Sequence, residues 1–200
     1  MHVRVENCFH RAAVRSRTDT ILVVEEIAPM MAETLRAGEL TLRVLSLDDL
    51  DDLHGIFSDA ATHTIGDGPV KSIEETSDWL RRRDERRKQH GVAWYAICRA
   101  DGTLVGNAGL FIGRTGPHPE FGFEVRHADQ GQGYGGAAEA AVVDEAHRAG
   151  FPEVWATVRE WNASSLHALA RVGFERNRVE NDKQGALLYL VHRLSDDQLR

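Results

Sequence analysis

The segment QGQGYGGAAEAA, Gln130 to Ala141, carries four glycines in its first seven residues. Glycines occur at this density where the backbone must approach another group closely. The segment follows the strand-like PEFGFEVR (119–126) and leads into the helix-like VVDEAH (142–147). The first turn of a helix has unpaired N–H groups and partial positive charge, which together favour phosphate. The segment therefore predicts a pyrophosphate-binding loop between a strand and a helix.

Two other phosphate-binding loops compete with this interpretation. A P-loop is excluded because no Lys-Ser or Lys-Thr follows at the required place. The dinucleotide pattern G-x-G-x-x-G is met from Gly131 to Gly136, with Glu160 as a ribose-binding acid. However, the preceding strand alternates through Glu124 and Arg126, whereas a strand of a parallel sheet is apolar throughout. Too little chain follows Gly136 for a doubly wound fold, so an NAD(P)-binding protein is the less favoured alternative.

The composition indicates an ordinary globular domain. The chain has 200 residues, of which 42% are hydrophobic and 28% charged, and no window approaches the roughly 18 apolar residues of a membrane span. A net charge of −7 argues against nucleic acid as a partner, because binding to phosphates requires a basic surface. Two distant cysteines, Cys8 and Cys98, form no metal pattern, and we expect a cytoplasmic protein without a metal site or membrane partner.

The chain divides into three parts. Residues 1–38 show no sustained period and predict an irregular or loosely packed N-terminal extension. Residues 39–195 form the predicted domain, and residues 196–200 a C-terminal tail. Within the domain the order is β, α, α, β, β, β, α, β, α, β, β, which indicates an α/β (α+β) fold with a mixed sheet. Strand patterns cover 39–45, the hairpin 92–113, 119–126, 153–160 and the hairpin 174–194; helical patterns cover 46–57, 72–89, the residues from the glycine loop to about 148, and 162–172.

Two motifs together resemble the GCN5-related N-acetyltransferases. One is Gln-x-x-Gly-x-Gly, met by Gln130, Gly133 and Gly135, and the other is NASSLHALARVGF (162–174), which follows the next strand. The resemblance covers about residues 40–193 and is closest to the branch that acetylates N-termini of ribosomal proteins. It implies a mostly antiparallel sheet that is splayed between two parallel strands and flanked by helices, with acetyl-CoA as the cofactor.

The resemblance also implies where the cofactor binds. The parallel strands would be 119–126 and 153–160, and the unpaired edges between them would hydrogen-bond the peptide-like pantetheine arm. The backbone of Phe123 and Val125 would hold that arm, and Asn162 would contact the cofactor from the next helix. The pyrophosphate would lie on the amides of the glycine loop, which are those of Gln130, Gly131, Gln132, Gly133, Tyr134, Gly135 and Gly136.

Acetyl transfer from a thioester to an amine requires few special groups. The amine must be neutral, the oxyanion needs a donor, and the thiolate is protonated or tolerated. A backbone N–H near Val125 is the expected oxyanion donor. Glu124 is the first candidate for the general base, Glu120 shares its face by period-2 alternation and is the second, and His127 is the third. For each of these the alternative is a solvent-facing residue without a catalytic role.

The leaving thiol has a less obvious partner. Ser165 lies where the ribosomal-protein branch has a serine, whereas many relatives have a tyrosine four residues later, a position that is Leu169 here. Ser165 is therefore the candidate acid and a candidate cofactor contact. Because the tyrosine is missing, a non-catalytic acyl-CoA sensor or scaffold of the same fold remains an alternative.

No motif in the sequence identifies the amine that would accept the acetyl group. A protein N-terminus, ribosomal or other, an aminoglycoside-like amine and a small metabolite amine all fit, and a monomer and a homodimer are both possible. We expect the pocket walls to come from 58–70 and the final hairpin. Trp94 and Trp161 are typical of core or cleft packing and are candidates for the border of the pocket. The charged run RRRDERRK (81–88) has mixed signs and is typical of a solvated helix face.

Overall fold

The computed structural model describes residues 30–63 and 68–194. Its elements follow the predicted order, with one additional strand at the start. The strands are Thr34–Ala37 (β1), Leu40–Val44 (β2), Trp94–Cys98 (β3), Leu104–Ile112 (β4), Pro119–Val125 (β5), Glu153–Arg159 (β6), Glu175–Asp182 (β7) and Gly185–Arg193 (β8). The helices are Leu50–Phe57 (α1), Ile73–His90 (α2), Tyr134–Arg148 (α3) and Ala163–Val172 (α4).

The additional strand corrects the predicted N-terminal boundary. β1 pairs antiparallel with β2, the side chain of Met31 is fully buried in the main core, and the Tyr95 hydroxyl donates to the Ala32 carbonyl over 2.7 Å. The interpretation of 1–38 as irregular or loosely packed is therefore wrong for the residues from Met31 onward, because a strand of four residues is too short to show a period. Residues 1–29 and the predicted tail 196–200 lie outside the described residues.

All eight described strands form one sheet in the order β1-β2-β3-β4-β5-β6-β8-β7. Every neighbouring pair is antiparallel except β5 and β6. That parallel pair is in register only at Glu120 and Trp155, so the two strands separate toward their carboxyl ends. The predicted mixed, mostly antiparallel and splayed sheet is confirmed, and the doubly wound sheet of the dinucleotide alternative is absent from the described residues.

Helices cover both faces of the sheet. α3 packs on β1, β2, β4 and β5 and against α4, over the main core cluster. α1 and α2 pack on each other and on β4 at the opposite face, over a second cluster. β3 serves both clusters by period-2 alternation, since Tyr95 and Ile97 enter the first and Trp94, Ala96 and Cys98 enter the second. Cys98 is thus a buried member of the second cluster.

Local signals mark both ends of α2 and the turn before β4. The Ser72 hydroxyl accepts a hydrogen bond from the Glu75 N–H at the start of α2, and Gly91 ends that helix at a φ of 72°. The Asp101-Gly102 turn joins β3 to β4. Among residues 30–63 and 68–194, no helix is long and apolar enough to cross a bilayer.

One carboxyl group is buried in the core without a hydrogen-bond partner among the described residues. Glu139 on α3 is fully buried, and neither carboxylate oxygen has a hydrogen-bond partner among the described residues. Burial raises the pKa of this carboxyl to about 8, because an ionised carboxylate is costly to remove from water. Glu139 is therefore protonated in the folded chain at neutral pH and largely ionised in the unfolded chain.

Glu139→Gln should make stability less dependent on pH. With a folded pKa above the unfolded value, the wild-type carboxyl favours folding at low pH and loses that contribution as pH rises from about 4.5 to about 8. The advantage of the variant over wild type should be larger at pH 8 than at pH 5 by on the order of 3 kcal/mol. Urea unfolding of both proteins at the two pH values measures this difference. An equal difference at both values would show that the carboxyl is hydrated or paired.

Candidate functional site

The opening between β5 and β6 exposes backbone groups of β5. The Arg126 N–H donates to the Val105 carbonyl over 2.8 Å, and β5 continues in antiparallel register with β4 from there. Residues of an antiparallel pair alternate between bonding toward the neighbour and pointing away. Phe123 and Val125 therefore direct their N–H and C=O groups toward β6, which pairs with β5 only at Glu120.

The two faces of β5 carry different chemistry. Phe121 and Val125 lie in the main core cluster under α3, and Phe123 packs against it. The alternate residues Glu120 and Glu124 face the cavity on the opposite side of the sheet. The predicted shared face of the two carboxylates is confirmed. A strand that is apolar on one side and acidic on the other thus borders the opening.

The glycine loop places its amides at the start of α3. Gly131 and Gly133 have φ values of 78° and 81°, a backbone region that L side chains rarely adopt, and Gly133 is the residue that caps the helix. The helix begins at Tyr134, so its first-turn amides have no intrahelical acceptor. A Cβ added at Gly131, Gly133 or Gly136 would have no atom of the described residues within 4 Å. The loop therefore borders open space.

Gln130 differs from the other loop residues. Its backbone N–H donates to the His127 carbonyl over 3.2 Å, and its side-chain Nε2 donates to the Val125 carbonyl over 3.0 Å. That amide already has an acceptor in the described structure, so it is less available to a phosphate than the other loop amides. Gln130 instead fastens the loop to the end of β5.

Gly135 is required by packing as well. A Cβ at this position would lie 2.7 Å from the ring of Phe123, closer than atoms of a real structure approach. The glycine therefore lets α3 pack directly on the aromatic ring of β5. The sequence interpretation, that every glycine of the loop makes room for an anion, does not account for this contact.

Gly135→Ala should destabilise the fold, by about 1 kcal/mol or more, because the added methyl displaces the Phe123 ring. Gly136→Ala, one residue further along the same helix, should be neutral or stabilising by up to about 1 kcal/mol, because its Cβ meets open space and alanine favours the helix. Chemical unfolding measures both. The penalty of Gly135→Ala should vanish in a Phe123→Ala background; an unchanged penalty there would refute the contact as its cause.

A cavity of about 530 Å³ lies beside the opening, within the size range of small-ligand pockets. It brings together residues of the 162–174 motif, of β5 and of the predicted base candidates, whereas no residue of the glycine loop is among the described residues that line it. Glu120, Phe123, Glu124, Asn162 and Ser165 all line it.

Glu124 is paired in this cavity. Its carboxylate lies 2.7 Å from Nδ1 of His63, and both side chains are mostly buried. Burial raises the pKa of Glu124, while the nearby His63 acts in the opposite direction. The His63 loop is itself anchored, because the Thr62 hydroxyl accepts a hydrogen bond from the His127 N–H over 2.9 Å. A carboxyl with a raised pKa and a histidine partner is suited to accept a proton.

Glu120 occupies a more enclosed position. Its side chain is 2% exposed, and Oε1 accepts a hydrogen bond from the Thr157 hydroxyl of β6. Its other oxygen, Oε2, has no partner among the described residues. Burial raises the pKa of Glu120 as well, against the opposing effect of the Thr157 hydrogen bond.

The remaining predicted site residues divide into two groups. Trp94 lines the cavity, and Ser165 lies on α4 with its N–H donating to Oδ1 of Asn162 over 3.1 Å, so Asn162 caps that helix. His127 and Trp161, in contrast, are exposed and are not among the described residues that line the cavity. The structure therefore does not support His127 as a base or Trp161 as a border of this pocket.

Three cavity residues had no signal in the sequence. His63 lies in the predicted wall segment 58–70, but nothing pairs it with Glu124 before folding. Arg83 belongs to the run interpreted as a solvated face and instead lines the cavity. Asn107 lies in an apolar strand. Residues 64–67 of the predicted wall segment lie outside the described residues. No cluster of three metal-ligating side chains occurs within residues 30–63 and 68–194.

This fold and site can be compared with known proteins. The family model for the GNAT acetyltransferase domain matches residues 39–175. The chain belongs to the GNAT acetyltransferase family. Among curated protein sequences, none matches the chain.

Solved structures of this family have the same fold. A Bordetella pertussis protein described as a GNAT-family acetyltransferase is 21% identical, with 80% of this chain and 99% of that chain covered and a TM-score of 0.72. RimL, a ribosomal L7/L12 alpha-N-protein acetyltransferase in complex with coenzyme A, is 18% identical, with 81% and 98% covered and a TM-score of 0.73. The yncA acetyltransferase of Salmonella typhimurium, with acetyl-CoA, is 22% identical, with 80% and 96% covered and a TM-score of 0.65.

Proposed function

We propose that the protein is an acetyl-CoA-dependent N-acetyltransferase that moves the acetyl group to a primary amine by direct attack. One observation carries the proposal. The edge of β5 at Phe123 and Val125, which β6 does not pair, has the amides of the glycine loop at one end and a cavity lined by Glu124 alongside. The family to which the chain belongs supports acetyl transfer.

The described residues fit coenzyme A. The outward-pointing N–H and C=O groups of Phe123 and the N–H of Val125 provide an edge for the amide bonds of pantetheine, while the Val125 carbonyl accepts from Gln130. The loop amides from Gly131 to Gly136 would hold the pyrophosphate, which needs several donors at a helix start. A second cavity beside Gly133 is lined by Arg99, whose buried Nε has no partner among the described residues. Arg99 is therefore an additional candidate for a phosphate contact.

Acetyl-CoA, when bound, would supply an activated thioester carbonyl, so the protein needs only to orient groups and move protons. The Glu124 carboxylate would accept the proton of the amine, directly or through water, while His63 holds it in place. The Val125 N–H would donate to the carbonyl oxygen as negative charge develops there. The Ser165 hydroxyl, in the same cavity, would donate a proton toward the sulfur.

The proposal includes two classes of acetyl acceptor. A protein N-terminus is supported by the likeness to the RimL structure, and a small-molecule amine by the likeness to a spermidine N-acetyltransferase of Vibrio cholerae. Both likenesses lie below 20% identity and show the fold rather than the substrate. We place the reaction in the cytoplasm, which supplies acetyl-CoA and keeps a free thiol such as that of Cys98 reduced.

Gly133→Ala should weaken coenzyme A binding at least 10-fold, because a Cβ is disfavoured at its positive φ and shifts the loop amides. Gly116→Ala is the matched control, since Gly116 has a φ of 76° and lies in the loop between β4 and β5. Titration calorimetry with coenzyme A, and with NAD as a comparison ligand, measures both variants. Equal losses in the two variants, or stabilisation by NAD alone, would contradict the proposed cofactor site.

Glu124→Gln should lower kcat about 100-fold or more if Glu124 is the base. The wild-type rate should rise with pH as Glu124 loses its proton, at a pKa above the ordinary carboxyl range because of burial, and the variant should lack this limb. Thiol release from acetyl-CoA measures the profile, with Glu120→Gln as the comparison. If only Glu120→Gln lost the rise of rate with pH, Glu120 and not Glu124 would be the general base. Binding of acetyl-CoA without thiol release for any amine would favour the non-catalytic acyl-CoA sensor.

A further inference from the structure

Arg83 occupies an unusual place for a surface helix residue. Its neighbours Arg81 and Arg82 are exposed on α2, but the Arg83 guanidinium lies 4.7 Å from the ring centre of Trp79, 4.6 Å from that of Trp94 and 5.2 Å from that of Phe111. All three rings line the same cavity. Burial lowers the pKa of Arg83 to about 10, with contributions from neighbouring arginines, so the side chain is still charged at neutral pH.

This charge has no carboxylate within 4 Å among the described residues, because Arg83 makes none of the ion pairs found there. Its Nε is buried and without an acceptor. A buried donor without a partner destabilises the folded protein. Stacking on aromatic rings positions the guanidinium but does not provide the acceptor that its N–H groups need.

A second donor without a partner lines the same cavity. Asn107 is 1% exposed, and its Oδ1 accepts a hydrogen bond from the Trp94 indole N–H over 2.8 Å. That bond identifies the other terminal atom as the amide nitrogen, and Nδ2 has no acceptor among the described residues. The cavity therefore contains two buried donors without acceptors, one of them on a cation.

The same cavity is also lined by a residue with an unpaired acceptor atom. Oε2 of Glu120 is buried and unpaired among the described residues, and Glu120 shares its face of β5 with Glu124. Asn107 is directly opposite Glu124 on the neighbouring strand, a relation that puts Cβ atoms about 4.5–5.5 Å apart. Trp94 connects the two regions, because its ring contacts the Arg83 guanidinium and lies over Gly122, between the two glutamates.

We propose that the acetyl acceptor is a small amine that carries an acidic group, with the chemistry of an α-amino acid. The inference rests on the proposed function and narrows its substrate class. The oxyanion of the acid binds the Arg83 guanidinium and Nδ2 of Asn107, and the amine lies between Glu120 and Glu124. Because Asn107 faces Glu124 across one strand spacing, the two groups of the substrate are separated by only a few bonds.

This arrangement also disfavours other amines. A polyamine would bring a second positive charge toward Arg83, and like charges in a mostly buried site repel strongly. An amino acid amide presents the same α-amine but leaves the guanidinium without a negative partner. The comparison of an acid with its own amide therefore isolates the contribution of the charge.

The experiment compares four free amino acids, glycine, methionine, phenylalanine and glutamate, with their α-carboxamides and with spermidine. Thiol release from acetyl-CoA by the wild-type protein gives kcat/KM for each. We expect at least one acid to exceed its own amide by about 10- to 100-fold, the range of a charge-assisted hydrogen bond. Transfer to amides or spermidine that equals or exceeds transfer to every acid would overturn the inference while the acetyltransferase proposal stands.

Variants test whether Arg83 is the cause. Arg83→Met should raise KM for the best acid by about 10- to 100-fold and leave kcat/KM for its amide within about 3-fold. Arg82→Met, at the exposed neighbouring position, is the matched control and should behave as wild type. An equal loss for acid and amide in Arg83→Met would assign the side chain to packing only and overturn the inference.

A binding measurement separates the two proposals. The melting temperature of the protein with saturating coenzyme A should rise further on addition of the preferred amino acid and not on addition of its amide. This shift without thiol release would sustain the acid-binding site and overturn the catalytic proposal. Absence of a shift with every acid, in protein that binds coenzyme A, would overturn the inference independently of turnover.

Discussion

The parallel contact between β5 and β6 ends after a single register pair, and the rest of the site depends on that early separation. β5 is anchored to β4 along its whole length and β6 to β8, so neither strand can close the opening without losing an established ladder. Backbone groups that point into the opening need partners from elsewhere. We propose that a ligand with amide bonds of its own provides these partners and that the glycine loop at the end of β5 binds its charged end.

Consecutive side chains of β5 point to opposite faces of the sheet and therefore make different contacts. Phe123 faces α3 and sets how closely the helix approaches, which explains why Gly135 carries no side chain. Glu124 faces the cavity and pairs with His63. Gln130 fastens the loop back onto Val125. One strand thereby positions the loop amides, an outward-pointing backbone edge and a carboxylate with a raised pKa relative to one another.

Much of the fold follows from local rules, and the exceptions have physical causes. The caps at Ser72 and Gly91 and the faces of β5 are local signals and were predictable. β1 was missed because its four residues acquire meaning only through pairing with β2. The cavity donors were missed for the same reason. Arg83 lies in a run with the composition of a solvated face, and only the placement of α2 over the aromatic rings shows that this one arginine points inward.

Hydrogen exchange of individual β5 amides, measured with and without acetyl-CoA, tests the central claim most directly. The ladder to β4 uses the Glu124 amide and leaves the Val125 amide directed into the opening. The account predicts that acetyl-CoA slows exchange at Val125 by more than 10-fold while Glu124, already protected, changes little. Unchanged exchange at Val125 with the cofactor bound would show that the opening between β5 and β6 is not where coenzyme A lies.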